Sequence, residues 1–417
     1  MNDREKFLTK FKILLAFFSL SFLVYCFPIL IMQATSYYKI SHGSAGALES
    51  YFNITRVIAS LVAFTIFLKF GYKKPLSYTF FFVAIFCLVA PFINSIWMIR
   101  LYLLMTGISF VVIKISSYSM VTLVTNNPNE HASFVNFMEL IHMIGNMMAV
   151  WVFSFFMQNT DGTEWLYMFW LIAGICLVLG LIFLLTPLNE NAIETEKNKP
   201  FKNQIKDVKH IILMWCVPFF FIMFFAYEFI EQGVGPWLMT FNHEVLGITK
   251  NLSVQLGSLF TLAIALGRLY GTIIFKYIEW HKVLLANFII GLFFIGIVMF
   301  NMDHGIGSNS TNIFNLPLVA YCLPLVGFFI GPVYPTLVST FMSCHNKGLH
   351  AAAISIVMIL GAFVDSVSAR IVGDLFSNIG GLSTFKFSTI IPLTILIILI
   401  VPYALIINKT SKSEKEE

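Results

Sequence analysis

Charge is scarce in this sequence. Asp, Glu, Lys and Arg supply 11% of its 417 residues, against about 25% in soluble domains, too few to cover a water-facing surface. Paired cysteines are missing too. The six, Cys26, Cys87, Cys176, Cys216, Cys322 and Cys344, are scattered with no C-x-x-C, which argues against a disulfide framework or a zinc site and for small core residues. No G-x-x-x-x-G-K-[ST] loop occurs and no stretch is long enough for a soluble nucleotide-hydrolysing domain, so ATP is not the expected energy source. No H-E-x-x-H occurs, and His42, His142 and His281 fall in different segments, which leaves little basis for an intramembrane enzyme. The net charge of +5 sits in short connectors rather than on a basic face, so nucleic acid is not an expected partner. The first apolar run, residues 11–34, lacks a small-residue cleavage site and exceeds a signal-peptide core.

What is present is hydrophobicity, 58% of residues with a mean hydropathy of +0.83. Apolar runs of about 20 residues, enough to span a bilayer, recur along the chain. The expected fold is an all-α membrane protein with twelve transmembrane helices in two pseudo-symmetric six-helix bundles. The helices are expected near 11–34, 44–69, 76–94, 97–124, 132–157, 166–187, 210–230, 252–275, 282–301, 314–342, 351–373 and 387–408. An even number puts both termini on one side. Of the 26 Lys and Arg, four lie within spans away from their ends, and only Lys39, Arg100, Lys250 and Lys386 fall in or beside connectors on the side opposite the termini. The rest lie with the termini, which the positive-inside bias makes cytoplasmic. The polar stretch 189–209 reads as a cytoplasmic linker between bundles 1–188 and 210–417, and SKSEKEE as a short solvated cytoplasmic tail.

The charges left within spans are informative because each costs about 2.5–3.5 kcal/mol at mid-membrane if left alone. The cations are Arg56, Lys114, Arg268 and Arg370; the anions are Glu49, Glu139, Glu228 and Asp365. The second helix of each half carries an Arg and the fifth a carboxylate. Glu139 and Arg268 each lie seven residues from a cytoplasmic helix end, about 10 Å deep at 1.5 Å per residue. The expectation is that Glu139–Arg268 closes the inner side, while Glu49–Arg370 and Arg56–Asp365 close the outer side. Permanent assembly bridges are the alternative. Glu139 is also a candidate for the coupling proton, and His142, one turn further on, extends the same polar face, most simply as a satisfied interior histidine.

The segment LKFGYKK (Leu68–Lys74) keeps the Gly and basic residues of a signature between helices 2 and 3, G-x-x-x-D-R-x-G-R-K, though not its Asp. With twelve helices, a central basic linker and this segment, the chain resembles the major facilitator superfamily. FFAYEFIEQGVGPWLMTFNHEVLGIT (Phe224–Thr249), ALGRLYG (Ala265–Gly271) and GFFIGPVYPTLVSTF (Gly327–Phe341) resemble helices 7–8, 8 and 10 of its fucose permease-like branch. In that branch carboxylates on helices 1 and 4 serve proton coupling and sugar contact. Here helix 1 has no acid and helix 4 carries Lys114, so those roles do not carry over. The resemblance implies a central cavity lined by helices 1, 4, 7 and 10, which makes Tyr25, Gln33, Lys114, Ser117, Tyr227, Glu228, Tyr321 and Tyr334 the candidate substrate-binding residues. Ser21 and Ser109 share those helices. Lone Ser and Tyr in spans also serve as interhelical hydrogen bonds, and a bound anion or Glu228 through water are the partners open to Lys114. Pro28, Pro332 and Pro335 mark expected kinks.

The expected function is secondary active transport of a small hydrophilic solute, sugar-like or an organic anion, by alternating access. The expected coupling ion is a proton, with Na⁺ the alternative. Export or import of a chelator or drug shares this architecture, whereas a non-transporting sensor would normally add a soluble output domain. No cofactor or metal is expected. The chain is expected to be a monomer of the bacterial inner membrane.

Overall fold

A computed structural model describes residues 3–24, 42–125, 127–156, 162–186, 211–235, 245–248, 250–301, 318–345 and 349–416, with isolated residues between. The linker 189–209 lies almost wholly outside the described residues, as does Tyr25. Among the described residues there are thirteen α-helices and no strand. They are α1 Asp3–Val24, α2 His42–Phe70, α3 Lys73–Val89, α4 Ile96–Val124, α5 Pro128–Phe156, α6 Met168–Leu185, α7 Cys216–Val234, α8 Lys250–Ile274, α9 Trp280–Asn301, α10 Leu318–Ile330, α11 Val333–Ser343, α12 His350–Ile379 and α13 Gly381–Glu416.

α10 and α11 are one segment broken at Gly331 and Pro332, where a kink was expected, so twelve helical segments result among the described residues. Two ends differ from the sequence reading. α1 begins at Asp3 rather than near 11, because DREK is a good helix start and nothing in it breaks the backbone pattern. α13 continues through the expected tail to Glu416, since Lys, Ser and Glu without Gly or Pro propagate a helix.

Seven helical segments are long and apolar enough to cross a membrane, judged on the described residues alone. Leu61, Phe82, Ile85, Phe293 and Leu405 point outward and are exposed. Backbone polar groups satisfied within helices beside outward apolar side chains are what a hydrocarbon solvent demands. Trp97 and Tyr277, exposed at helix ends, are placed as interfacial aromatics.

The chain forms two compact units. The first holds Met1–Asn126, Ile141–His210 and Asn346–Ile359; the second holds Asn127–Leu140, Ile211–His345 and Leu360–Glu417. In the first, α3 packs on α6, α2 on α4, and α1 on α4 and α6. In the second, α9 packs on α13, α8 on α10, and α7 on α13 and α11. These are the same neighbour relations one half-chain later. The exchanged segments obey the same repeat: both ends of Asn346–Ile359 lie 219 residues after those of Asn127–Leu140. So the first turns of α5 fold with the second unit, and the first turns of α12 with the first.

Two glycine placements explain local geometry. Gly71 ends α2 at φ +71°, and its N–H donates to the Phe67 carbonyl at 2.9 Å, a left-handed helix cap that favours glycine. On α8 and α10, a Cβ on Gly267 would collide with the Phe328 carbonyl, and one on Gly331 would lie 2.5 Å from the Ile264 carbonyl. Small residues let these backbones touch, the usual basis of helix association in lipid. Buried hydroxyls add interhelical bonds: Ser77 donates to Gly180 O at 2.9 Å and Tyr102 to Leu23 O at 3.0 Å.

Replacing Gly267 with Val is therefore expected to force α8 from α10 and to destabilise the chain by about 1–3 kcal/mol. Thermal unfolding in detergent checks this, with Gly174→Val, which has open space around it, near the parent value.

Candidate functional site

The second unit contains a run of polar contacts along the first turns of α5. Arg268 of α8 donates through Nη1 to Glu139 Oε2 at 3.2 Å and to the Glu139 carbonyl at 3.4 Å. Both side chains are almost wholly buried, at 7% and 2% exposure. This is the pair expected from matched depth. Two turns earlier Ser133 donates to the Thr272 carbonyl at 2.6 Å. Asn136 donates to Thr336 Oγ1 at 3.3 Å and to Ala132 O at 2.9 Å. Thr336 in turn donates to the Pro332 carbonyl at 2.6 Å, beside the break in the tenth span. His131 Nδ1 bonds Ser339 Oγ of α11. Helix α5, from the first half of the sequence, is thus joined to α8 and α11 from the second half. The 3.6-residue repeat puts 132, 136 and 139 on one face, which is why FVNFMELIH reads apolar yet carries a polar stripe.

In the first unit, His142 sits where α5 meets α1. Its Nδ1 lies 2.7 Å from Ser21 Oγ and 3.2 Å from the Phe17 carbonyl, and Ser21 Oγ also lies 2.6 Å from the His142 carbonyl. The Phe17 ring meets the imidazole edge-on at 5.8 Å. Gly145, one turn on, is packed so closely that a Cβ would come 2.9 Å from Ser21 Oγ. His142 is a satisfied interior residue that ties α1 to α5.

Lys114 of α4 is buried, 6% exposed. Its Nζ lies 5.3 Å from the Phe110 ring centre, 5.8 Å from Phe17 and 6.0 Å from Tyr118. Arg56 of α2 reaches the same Phe110 ring at 5.6 Å and Phe52 at 5.7 Å. Two cations thus share one aromatic face system, a cation–π arrangement worth about 2 kcal/mol per contact when desolvated. Ser117, a turn from Lys114, is fully buried, and its Oγ has no hydrogen-bond partner among the described residues.

In the second unit Tyr227 donates to Glu231 Oε2 on the next turn of α7. Its ring lies 6.1 Å from Tyr334, which is also 5.8 Å from Phe224. Glu228 is buried at 5%. Tyr321 and Tyr334 are half-buried, and Gln33 is buried. The side chains of Glu49, Asp365 and Arg370 lie outside the described residues, so the expected outer pairs have no geometry to report.

Sequence reasoning missed several of these groups. Glu231 was left out because α7 was ended at 230. Hydropathy does not single out His131, Ser133 and Asn136 in the first turns of α5, nor His350 at the start of α12, whose Nδ1 lies 3.1 Å from Thr122 Oγ1 near the end of α4. The signal was available in the H-A repeated at 131–132 and 350–351. Among the described residues no group of His, Cys, Asp and Glu could hold a metal ion. Cys87, Cys176, Cys216, Cys322 and Cys344 are buried.

The sequence model described as Major Facilitator Superfamily matches residues 13–369. Among curated proteins no sequence matches. Solved structures similar to this chain include the transporter FucP in the outward conformation, at 16% identity and TM-score 0.78 over 94% of this chain and 98% of that one. The proton:xylose symporter XylE aligns at 12% identity and TM-score 0.68, over 98% and 96%. The human organic anion transporter MFSD10 (TETRAN) aligns at 13% and 0.63, over 95% and 100%. At these identities the likeness is one of fold.

The buried pair makes an asymmetric prediction about stability. Glu139→Ala or Arg268→Ala alone strands a charge and is expected to cost about 3–5 kcal/mol. Glu139→Leu with Arg268→Leu removes both and is expected to cost less than about 1 kcal/mol. Denaturant or thermal unfolding of the three variants in detergent separates these outcomes.

Proposed function

The chain belongs to the major facilitator superfamily, and on that premise we propose that it moves one small hydrophilic solute, sugar-like or an organic anion, by proton-coupled alternating access. Two six-helix bundles, 1–188 and 210–417, are joined by a cytoplasmic linker at 189–209 and rock against each other in the inner membrane, with both termini cytoplasmic. The observation that carries this reading is the Glu139–Arg268 bridge at 3.2 Å. It joins helices from the two halves near the end that the positive-inside bias makes cytoplasmic. An ion pair in so dry a place contributes little net stability, but it discriminates sharply between a closed seam and an open one.

In the cycle we propose, the inner contact closes when Arg268 meets Glu139 and Ser133 meets the α8 backbone. Breaking it hydrates both charges as the inner side opens. Arg56 with Asp365, and Glu49 with Arg370, are the proposed counterparts on the outer side. Substrate-binding is assigned to Lys114, Tyr25, Gln33, Ser117, Tyr227, Glu228, Tyr321 and Tyr334. The placement of Lys114 and Arg56 around Phe110 supports the organic-anion version over the sugar version. Carriers of both kinds of cargo share this fold, the proton:xylose symporter XylE and the organic anion transporter MFSD10.

Uptake profiling of a deletion strain, with and without a proton uncoupler, is expected to show one solute whose flux depends on this chain and collapses with the gradient. No altered flux for any solute rejects the reading. With that solute in hand, Glu139→Arg or Arg268→Glu alone should lower uptake about tenfold or more, equivalent to about 1.4 kcal/mol. The swapped pair should recover most of it. Lys114→Met should raise the half-saturating concentration of an anionic solute and leave a neutral one unchanged, read in oriented vesicles that also report direction.

A further inference from the structure

The 219-residue shift that relates the exchanged segments takes His131 to His350. Each histidine sits in the first turns of the fifth helix of its half, and each bonds a hydroxyl near the end of the fourth span of the opposite half. His131 Nδ1 bonds Ser339 Oγ, and His350 Nδ1 lies 3.1 Å from Thr122 Oγ1. The rings are 5% and 3% exposed. His131 has a further feature: its Nε2 is buried with no hydrogen-bond partner among the described residues. We propose that His131 and His350 are a pair of inner-side proton sites whose neutral rings latch the inner contact shut and whose protonation releases it.

The inference rests on the alternating-access reading above and adds residues that reading does not use. A neutral imidazole has one N–H and one lone pair. At His131 the Ser339 hydroxyl serves Nδ1, and a neutral ring leaves only one uncharged position unserved. An imidazolium is charged and carries an N–H at Nε2 with no acceptor among the described residues, which is far more costly. Opening the seam hydrates the ring and removes that cost. A proton that binds the open state better shifts the population toward it.

The charged neighbours do not cancel this preference. On α5 itself Glu130 adjoins His131 at the half-exposed end, and Glu139 two turns deeper is held by Arg268 of α8. Past the end of α11, His345 turns its Nδ1 to the Phe341 carbonyl at 2.7 Å. Opposite His350, α4 offers Thr122, then Tyr118 a turn deeper and Lys114 about 12 Å along the axis. Because both sites lie on the inner side, acid there holds the carrier open inward and slows its return. In a carrier that brings protons in, the latch is a brake on acid loading.

Spin labels on Asn129→Cys and Tyr277→Cys, with the six native cysteines replaced, report the separation of α5 from the end of α8 in the full chain in lipid nanodiscs. Going from about pH 8 to about pH 5.5, across the ordinary imidazole range, the long-distance population is expected to grow about threefold or more. His131→Gln with His350→Gln should abolish that growth. Ser339→Ala, which keeps both rings, should already enlarge the open population at the higher pH. A pH response that survives in the double Gln variant overturns the proposal, as does a parent protein that does not respond, or Ser339→Ala indistinguishable from the parent. Glu139→Gln at the higher pH separates the two ideas. If it lengthens the distance while acid does not, the gate stands and the histidine latch falls; if neither moves it, both fall.

Discussion

A carboxylate and a guanidinium held 3.2 Å apart in a nearly dry environment constrain the second unit more than any apolar contact does. Leaving either charge alone in that setting is costly, so the inner turns of α5 cannot leave α8 without water entering. Apolar helix faces give no comparable threshold, because lipid tails solvate Leu and Phe about as well as a neighbouring helix does. In the proposed cycle the pair turns a graded separation into a choice between two states. The hydrogen bonds from Ser133 and Asn136 set the register in which that choice is made.

That arrangement recurs through the repeat rather than standing alone. The first turns of α5 and α12, 219 residues apart, each fold with the unit opposite to the rest of their helix. The repeat preserves backbone packing and one histidine but not the charges. The position equivalent to Glu139 is Met358, and that equivalent to Asn136 is Ser355. Symmetry places the two segments, and divergence of side chains decides what each holds. One carries an ion pair and a histidine, the other a histidine without a carboxylate at the matching depth.

Much of this was legible in the sequence because lipid makes hydropathy a strict constraint. Twelve spans, the broken tenth helix and the Glu139–Arg268 pairing followed from run lengths, proline positions and equal depth. Helix ends were not legible: DREK and SKSEKEE are polar but helix-forming, and hydropathy reports the membrane rather than the backbone. The environment of Lys114 was not legible either. The sequence offers it acids or a bound anion, and the structure adds the faces of Phe17, Phe110 and Tyr118. Hydropathy counts those rings only as apolar. The exchange of segments between units needs three-dimensional packing, since no local pattern says which neighbour a helix end will choose.

The distribution of deep charges bears on what the carrier handles. Among the described side chains within spans, the first unit places Arg56 and Lys114 on one aromatic cluster. The second pairs Glu139 with Arg268 and sets Glu231 and Glu228 about Tyr227 of α7. The helix 1 and helix 4 acids of the fucose permease-like branch have no counterpart here. Positive charge on helix 4 repels a proton and favours an anion, so one position is poorly suited to both coupling and cargo contact. The reading proposed above separates the two tasks: cation-bearing helices for the solute, and carboxylates and imidazoles along α5, α7 and α12 for protons. On that proposal, a change of cargo chemistry needs changes in the first unit and none at the Glu139–Arg268 pair.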